Sequence, residues 1–255
     1  MTRLLHLGRL FLAISLTAFG IQYLLYGRFV GGLPPVPPWT PGGAVGAYLV
    51  GTFLIAAAVC IGGNWKARLA ATLVGILLFL CVVLLHFLQF SPIIYSGVAR
   101  TRALEPLSLA GAAFVLASAL PLGPSRSSAR NSYSGILRKL GLILFALPML
   151  IFGLQHFLYA PFIATLIPAW IPARLFFAYS TGIAFLAAGA SMLANIFGRL
   201  AAILLGVMFL FWTLFLHAPR VAASLHNGDE WSSFFVALAF SGSSFIVAAT
   251  LPRKL

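Results

Sequence analysis

Gln155 and Tyr159 stand four residues apart, a spacing that puts an amide and a phenol on one face of a helix, and Gln22 and Tyr26 repeat the pair. His156 follows the second glutamine, and His86 and His217 each close a long apolar run. Arg220 and Glu230 come shortly after His217, while Trp39 and Trp170 sit in matching proline-rich loops. An amide, a phenol and a neutral imidazole on facing helices can hydrogen-bond a quinone carbonyl or a small oxyanion between tryptophan walls. In such a site His156 and His217 would move protons, as its catalytic pair. Gln22, Tyr26, Trp39, His86, Gln155, Tyr159, Trp170, Arg220 and Glu230 would bind the ligand, with Arg220 holding an anion. The same residue types also serve as interfacial anchors and as polar glue between helices, without any ligand. Haem is disfavoured. It needs two imidazoles facing across a porphyrin, whereas no pair of these histidines sits at a repeated spacing within one helix and Tyr23 occupies the position equivalent to His156. No metal site is expected, because cysteines and carboxylates are missing at zinc-ligand spacing.

The elements that must position these groups are set by composition. Hydrophobic residues make up 62% of the 255 and charged residues only 7%, with a mean hydropathy of +1.06. A soluble domain carries about 25% charged residues, so lipid is the solvent that suits this chain. The net charge of +13 does not point to nucleic acid, since the basic residues stand singly or in pairs between apolar runs. They read as topology signals. Cys60 and Cys81 form no CxxC and fall inside apolar runs, so a disulfide framework is unsupported. Spans of about 20 residues are expected near 7–27, 44–63, 68–90, 104–121, 137–160, 174–194, 198–217 and 232–251. They must be helices, because backbone groups in lipid need partners within their own segment, and the runs lack the alternation of a barrel.

The chain repeats itself. A shift of 131 residues carries Trp39 onto Trp170, Asn64 onto Asn195, Arg68-Leu69-Ala70-Ala71 onto Arg199-Leu200-Ala201-Ala202, His86 onto His217 and Gly111 onto Gly242. The first span needs a shift of 133, which carries Gln22 onto Gln155 and Tyr26 onto Tyr159. The expected architecture is therefore all-α integral membrane, about eight transmembrane helices as two parallel-oriented four-helix repeats. The first repeat covers 1–122, a cytoplasmic linker 123–136 and the second repeat 137–255. Arg3, Arg9 and the following apolar run would suit a signal peptide, but its twin in mid-chain argues for a retained helix. With both termini inside, the inner segments hold eleven of the 16 basic residues and the outer segments the remaining five. All the candidate site residues then lie toward the outer face. Small residues four apart, Ala47/Gly51 and Ala178/Gly182, are expected to pack helices within the chain. No Walker A, nucleophile elbow, HExxH or dinucleotide fingerprint is present.

Gly153-Leu-Gln-His-Phe157, Pro168-Ala-Trp-Ile-Pro172, the small-residue span 178–191, His217-Ala-Pro-Arg-Val221 and the Glu230-Trp231-Ser-Ser-Phe start of the last span resemble DoxX-like membrane proteins. The resemblance covers nearly the whole second half. It is weaker in the first, where Tyr23 replaces His156 and the Glu-Trp pair is missing. It implies four-helix units, here two of them fused. It also implies a redox-associated subunit of a multi-pass bacterial inner (cytoplasmic) membrane protein, with quinone or a small sulfur or oxygen species as ligand. The family's namesake belongs to a thiosulfate:quinone oxidoreductase. Electron transfer would then require a redox partner protein. A small-molecule transporter or channel and a non-catalytic membrane scaffold are the rival readings. Polar residues at mid-span would favour transport, and a shallow outer pocket would favour binding.

Overall fold

The computed structural model describes the backbone of residues 3–30, 43–87, 96–121 and 128–252, and the side chains of all of these except 86–87 and 128–132. The described residues are helical or in turns, with no strand among them. In order they form α1 (Arg3–Tyr26), α2 (Gly43–Gly62), α3 (Ala67–Val82) with a π-helical turn (Val83–Phe87), and α4 (Gly97–Ala119). These are followed by α5 (Ser128–Leu158), α6 (Ala160–Leu166), α7 (Arg174–Ala194) and α8 (Gly198–Trp212) with a second π-helical turn (Thr213–His217). The short α9 (Ala218–Ala223) and the long α10 (Gly228–Thr250) complete the chain.

Seven of the described helices are long and apolar enough to cross a bilayer, and the chain is an all-α, multi-pass membrane protein. Their outward faces remain apolar: Leu25, Leu49 and Leu158 are 77%, 68% and 70% exposed, a surface for lipid rather than water. α4 is not among the seven. It is equally long but carries Arg100, Arg102 and Glu105 in its first turns. α5 begins at Ser128, inside the segment expected to be a linker. Ser, Ala, Arg and Asn are adequate helix formers, and turns that precede the bilayer need not be apolar.

The long helices close into a ring. α1 packs on α2, α2 on α3, α3 on α4, α4 on α5, α5 on α7, α7 on α8, α8 on α10, and α10 back on α1, while α4 and α10 also touch each other across the middle. These two central helices are buried on every side, without a break from 106 to 117 in α4 and from 237 to 248 in α10. A helix that is small or apolar all round belongs inside such a bundle.

Glycines set the closest approaches. A Cβ added at Gly111 of α4 would lie 2.5 Å from the Gly141 carbonyl oxygen of α5, and a Cβ at Gly8 of α1 would collide with the Gly242 carbonyl of α10. Likewise Gly20 abuts Gly51, and Gly153 abuts Gly182. Gly75 lies under the Phe114 ring, and Gly206 under that of Phe245. The Arg3 end of the bundle, called here the near end, is fastened by arginines. Arg9 donates to Asn64 Oδ1 at 2.7 Å, Arg68 to the Leu120 carbonyl at 3.2 Å and to Ser134 Oγ at 3.0 Å, and Arg199 to the Ala248 carbonyl at 2.9 Å. Arg68 and Arg199 thus supply donors to the last carbonyls of the two central helices, which have no partner within the helix. Asn64 and Asn195 turn the chain here in left-handed backbone conformation, at φ 59° and 55°, which asparagine tolerates better than most residues.

Candidate functional site

The sequence-selected residues gather at the opposite, far end, where α1 and α5 finish and α4 and α10 begin. They fall into three arrangements.

The first two are junctions built alike. At the α1–α10 junction Gln22, buried, donates from Nε2 to the Gly228 carbonyl at 3.1 Å and accepts from Ser232 Oγ at 3.2 Å. The Tyr26 ring lies against Gly228. At the α5–α4 junction Gln155, also buried, donates to the Gly97 carbonyl at 2.9 Å and to Thr101 Oγ1 at 3.2 Å. The Tyr159 ring covers Gly97, and its hydroxyl accepts from Arg100 Nη2 at 3.3 Å. Each glutamine therefore already spends an amide hydrogen on a backbone carbonyl of the facing helix. Next to the first junction, Tyr26, Arg28, Val30, His226, Asn227, Gly228 and Asp229 line a cleft of about 320 Å³.

The third arrangement joins α8, α9 and α10. Arg220 Nη2 and Glu230 Oε1 form an ion pair at 2.9 Å, the only one among the described residues. Arg220 also reaches the Leu166 carbonyl at the end of α6, at 3.5 Å. Pro219 lies in the first turn of α9, directly after the π-helical turn, and His217 feels the charges of both Arg220 and Glu230. Two polar atoms here are buried and have no hydrogen-bond partner: Nδ1 of His217 and Oε2 of Glu230. Glu230 thus holds its cation with one oxygen and leaves the other without a partner, like Nδ1 of His217. Glu230 lies in the first turn of α10, where the helix dipole favours a carboxylate.

His156 stands apart from this trio. Its Nδ1 lies 2.8 Å from the Phe152 carbonyl, which only accepts, so Nδ1 carries the hydrogen and Nε2 is left as an acceptor. The ring meets Phe185 edge-on at 5.1 Å, at the end of a cluster formed by Phe152, Phe185, Phe209 and Phe240. Trp170 is 61% exposed in the turn after α6. His86 belongs to the π-helical turn Val83–Phe87, and its side chain is outside the described part. Trp39 lies outside the described residues altogether. No three His, Cys, Asp or Glu among the described residues lie close enough to hold a metal ion.

Residue types alone do not single out Arg100, Thr101 or Ser232. The available signal is positional: Thr101 and Ser232 are hydroxyl residues related by the 131-residue shift, as are Gly97 and Gly228. Compared with protein-family models, curated proteins and solved structures, the chain matches none.

Proposed function

We propose that the chain is an eight-span protein of a bacterial inner membrane, made of two like-oriented four-helix units and related to DoxX-like proteins. In this reading both termini are cytoplasmic and α4 is the eighth span, shielded from lipid by its neighbours. The second unit binds a quinone headgroup or a small sulfur or oxygen species at the outer face, as a redox-associated subunit that hands electrons to a partner protein.

One observation carries this reading. His217 Nδ1 and Glu230 Oε2 are buried, unpartnered and adjacent to the Arg220–Glu230 ion pair. Buried polar groups ordinarily find partners, and a ligand with a hydroxyl or carbonyl oxygen would supply them. Glu230 and His217 then exchange protons with that oxygen while Arg220 stabilises negative charge on it. Position supports a single site: at the 131-residue shift Arg220 and Glu230 correspond to Gln89 and Ala99, so the first unit lacks both charges.

The test is a titration of detergent-purified protein with a short-chain ubiquinone analogue and with thiosulfate. Trp231 neighbours Glu230 in sequence, and quenching of its fluorescence reports occupancy, with Trp231→Phe as the control. Saturable quenching lost in Glu230→Gln and His217→Ala is the expected result. Binding that survives both substitutions rejects the site. Cysteine labelling at Thr165 and Ser127 from the two sides of the membrane checks the orientation.

A further inference from the structure

The two glutamine junctions have the same parts but are not equally closed. At the α1–α10 junction the Ser232 hydroxyl is a donor within reach of Gln22 Oε1, at 3.2 Å, and of the Gly228 carbonyl, at 2.9 Å. The residue before it, Trp231, donates its indole hydrogen to the Leu225 carbonyl at 2.9 Å. At the α5–α4 junction the corresponding hydroxyl, on Thr101, accepts from Gln155 Nε2. Gln155 is only 7% exposed, and its Oε1 has no donor. Turning the amide over is no remedy, because it would set Oε1 against the Gly97 carbonyl, which now receives Nε2 at 2.9 Å.

The position of Trp231 is taken here by Arg100. Its Nη2 reaches Tyr159 at 3.3 Å, its Nε is buried without an acceptor, and no ion pair holds it among the described residues. Tyr159 lies one helical turn beyond Gln155, and Thr101 directly follows Arg100. The unmet acceptor and the unmet charged donor therefore belong to one small cluster.

We propose that the Arg100–Gln155 junction binds a phosphate oxyanion that carries a neighbouring hydroxyl hydrogen. The oxyanion accepts from the guanidinium of Arg100, for which a phosphate is well shaped. The hydroxyl donates to Gln155 Oε1. Water could meet the hydrogen bonds but would leave the guanidinium charge unbalanced. Arginine and tyrosine at the end of a membrane helix lie at the depth of lipid headgroups, so the oxyanion comes either from a phospholipid with a hydroxyl-bearing headgroup or from free phosphate. This site is separate from the His217–Arg220–Glu230 trio and does not depend on the function assigned to it.

The experiment uses the full chain, delipidated in a neutral detergent. Thermal unfolding and native mass spectrometry are recorded with phosphatidylglycerol, with phosphatidylcholine, with sodium phosphate and with sodium sulfate. Phosphatidylcholine and sulfate present an oxyanion without the hydroxyl hydrogen. Retention of phosphatidylglycerol and a raised unfolding temperature, both absent with phosphatidylcholine, support the site with a lipid occupant. A rise with phosphate and not with sulfate supports it with a free anion. In Arg100→Trp, which copies the closed junction, the effective ligand should bind roughly tenfold more weakly or worse. Arg100→Gln gives the same reading should the tryptophan prevent folding. Equal effects of phosphatidylcholine and phosphatidylglycerol, no effect of any additive, or unchanged binding in both variants would overturn the proposal.

Discussion

The Gln22 amide donates to the Gly228 carbonyl across 3.1 Å and so ties the first long helix to the last. Gln155 does the same for Gly97 of α4, at 2.9 Å. In each case the glutamine belongs to one half of the chain and the carbonyl to the other. Each half's first helix packs on the last helix of the opposite half, and the glutamines lock this exchange.

The first prediction follows from that exchange. Gln22→Leu removes the side-chain hydrogen bonds that join α1 to Gly228 and Ser232 of α10 and should cost about 1–3 kcal/mol, as should Gln155→Leu for the bonds to Gly97 and Thr101. The two junctions share no partner, so the losses should add in the double variant. Unfolding followed in detergent measures all three, and an unchanged midpoint in either single variant would contradict the assigned bonds.

Backbone proximity makes a second prediction. Gly8→Ala and Gly111→Ala push a methyl into the carbonyl of the facing glycine and should each destabilise by about 1–3 kcal/mol. Gly135→Ala is the control, since a Cβ there meets nothing within 4 Å. It should be neutral or stabilising by up to about 1 kcal/mol, because alanine is the better helix former.

The near end supplies a third. Arg199→Ala removes the donor held by the Ala248 carbonyl and should cost about 1–2 kcal/mol. Arg68→Lys keeps the charge but loses the fork that reaches Leu120 and Ser134 together. Its unfolding midpoint should fall despite the conserved charge.

A fourth prediction concerns the ion pair. The Arg220 and Glu230 side chains are 30% and 18% exposed, so the pair is partly screened by solvent. A double-mutant cycle with Arg220→Ala and Glu230→Ala should give a coupling of about 0.5–1 kcal/mol. That coupling should shrink toward zero at about 1 M salt. A coupling that ignores salt would mean the pair is sealed from solvent.

Much of the architecture is legible in the residues because lipid leaves the backbone few choices. Gly43, Ala67 and Gly97 begin helices, and so do Arg174, Gly198 and Gly228, each 131 residues later. Small residues at Gly51 and Gly182 mark helix contacts in the sequence and make them in the structure. The exchange of first helices is not legible. Two halves with matching patterns present equivalent faces, and periodicity cannot say whether α1 will meet α4 or α10. The same limit applies to the glutamines, whose amides suit a ligand and a backbone carbonyl equally. The start of α5 at Ser128 is not legible either, because polar residues near a helix end show no apolar periodicity whether coiled or helical. The ion pair of Arg220 with Glu230 follows the π-helical turn between α8 and α9, which a continuous apolar run does not announce.

The packing of α1 on α10 has a bearing on biosynthesis. When Gln22 leaves the ribosome its partner is still 206 residues away in the chain. At about 5–20 residues per second, roughly 10–40 s pass before that partner is made. Throughout this interval the Gly8 and Gln22 face of α1 rests against lipid or a membrane insertase. Assembly of the nascent protein therefore ends with its oldest segment, and a ribosome that stalls before Gly228 leaves the earliest-made helix without its mate.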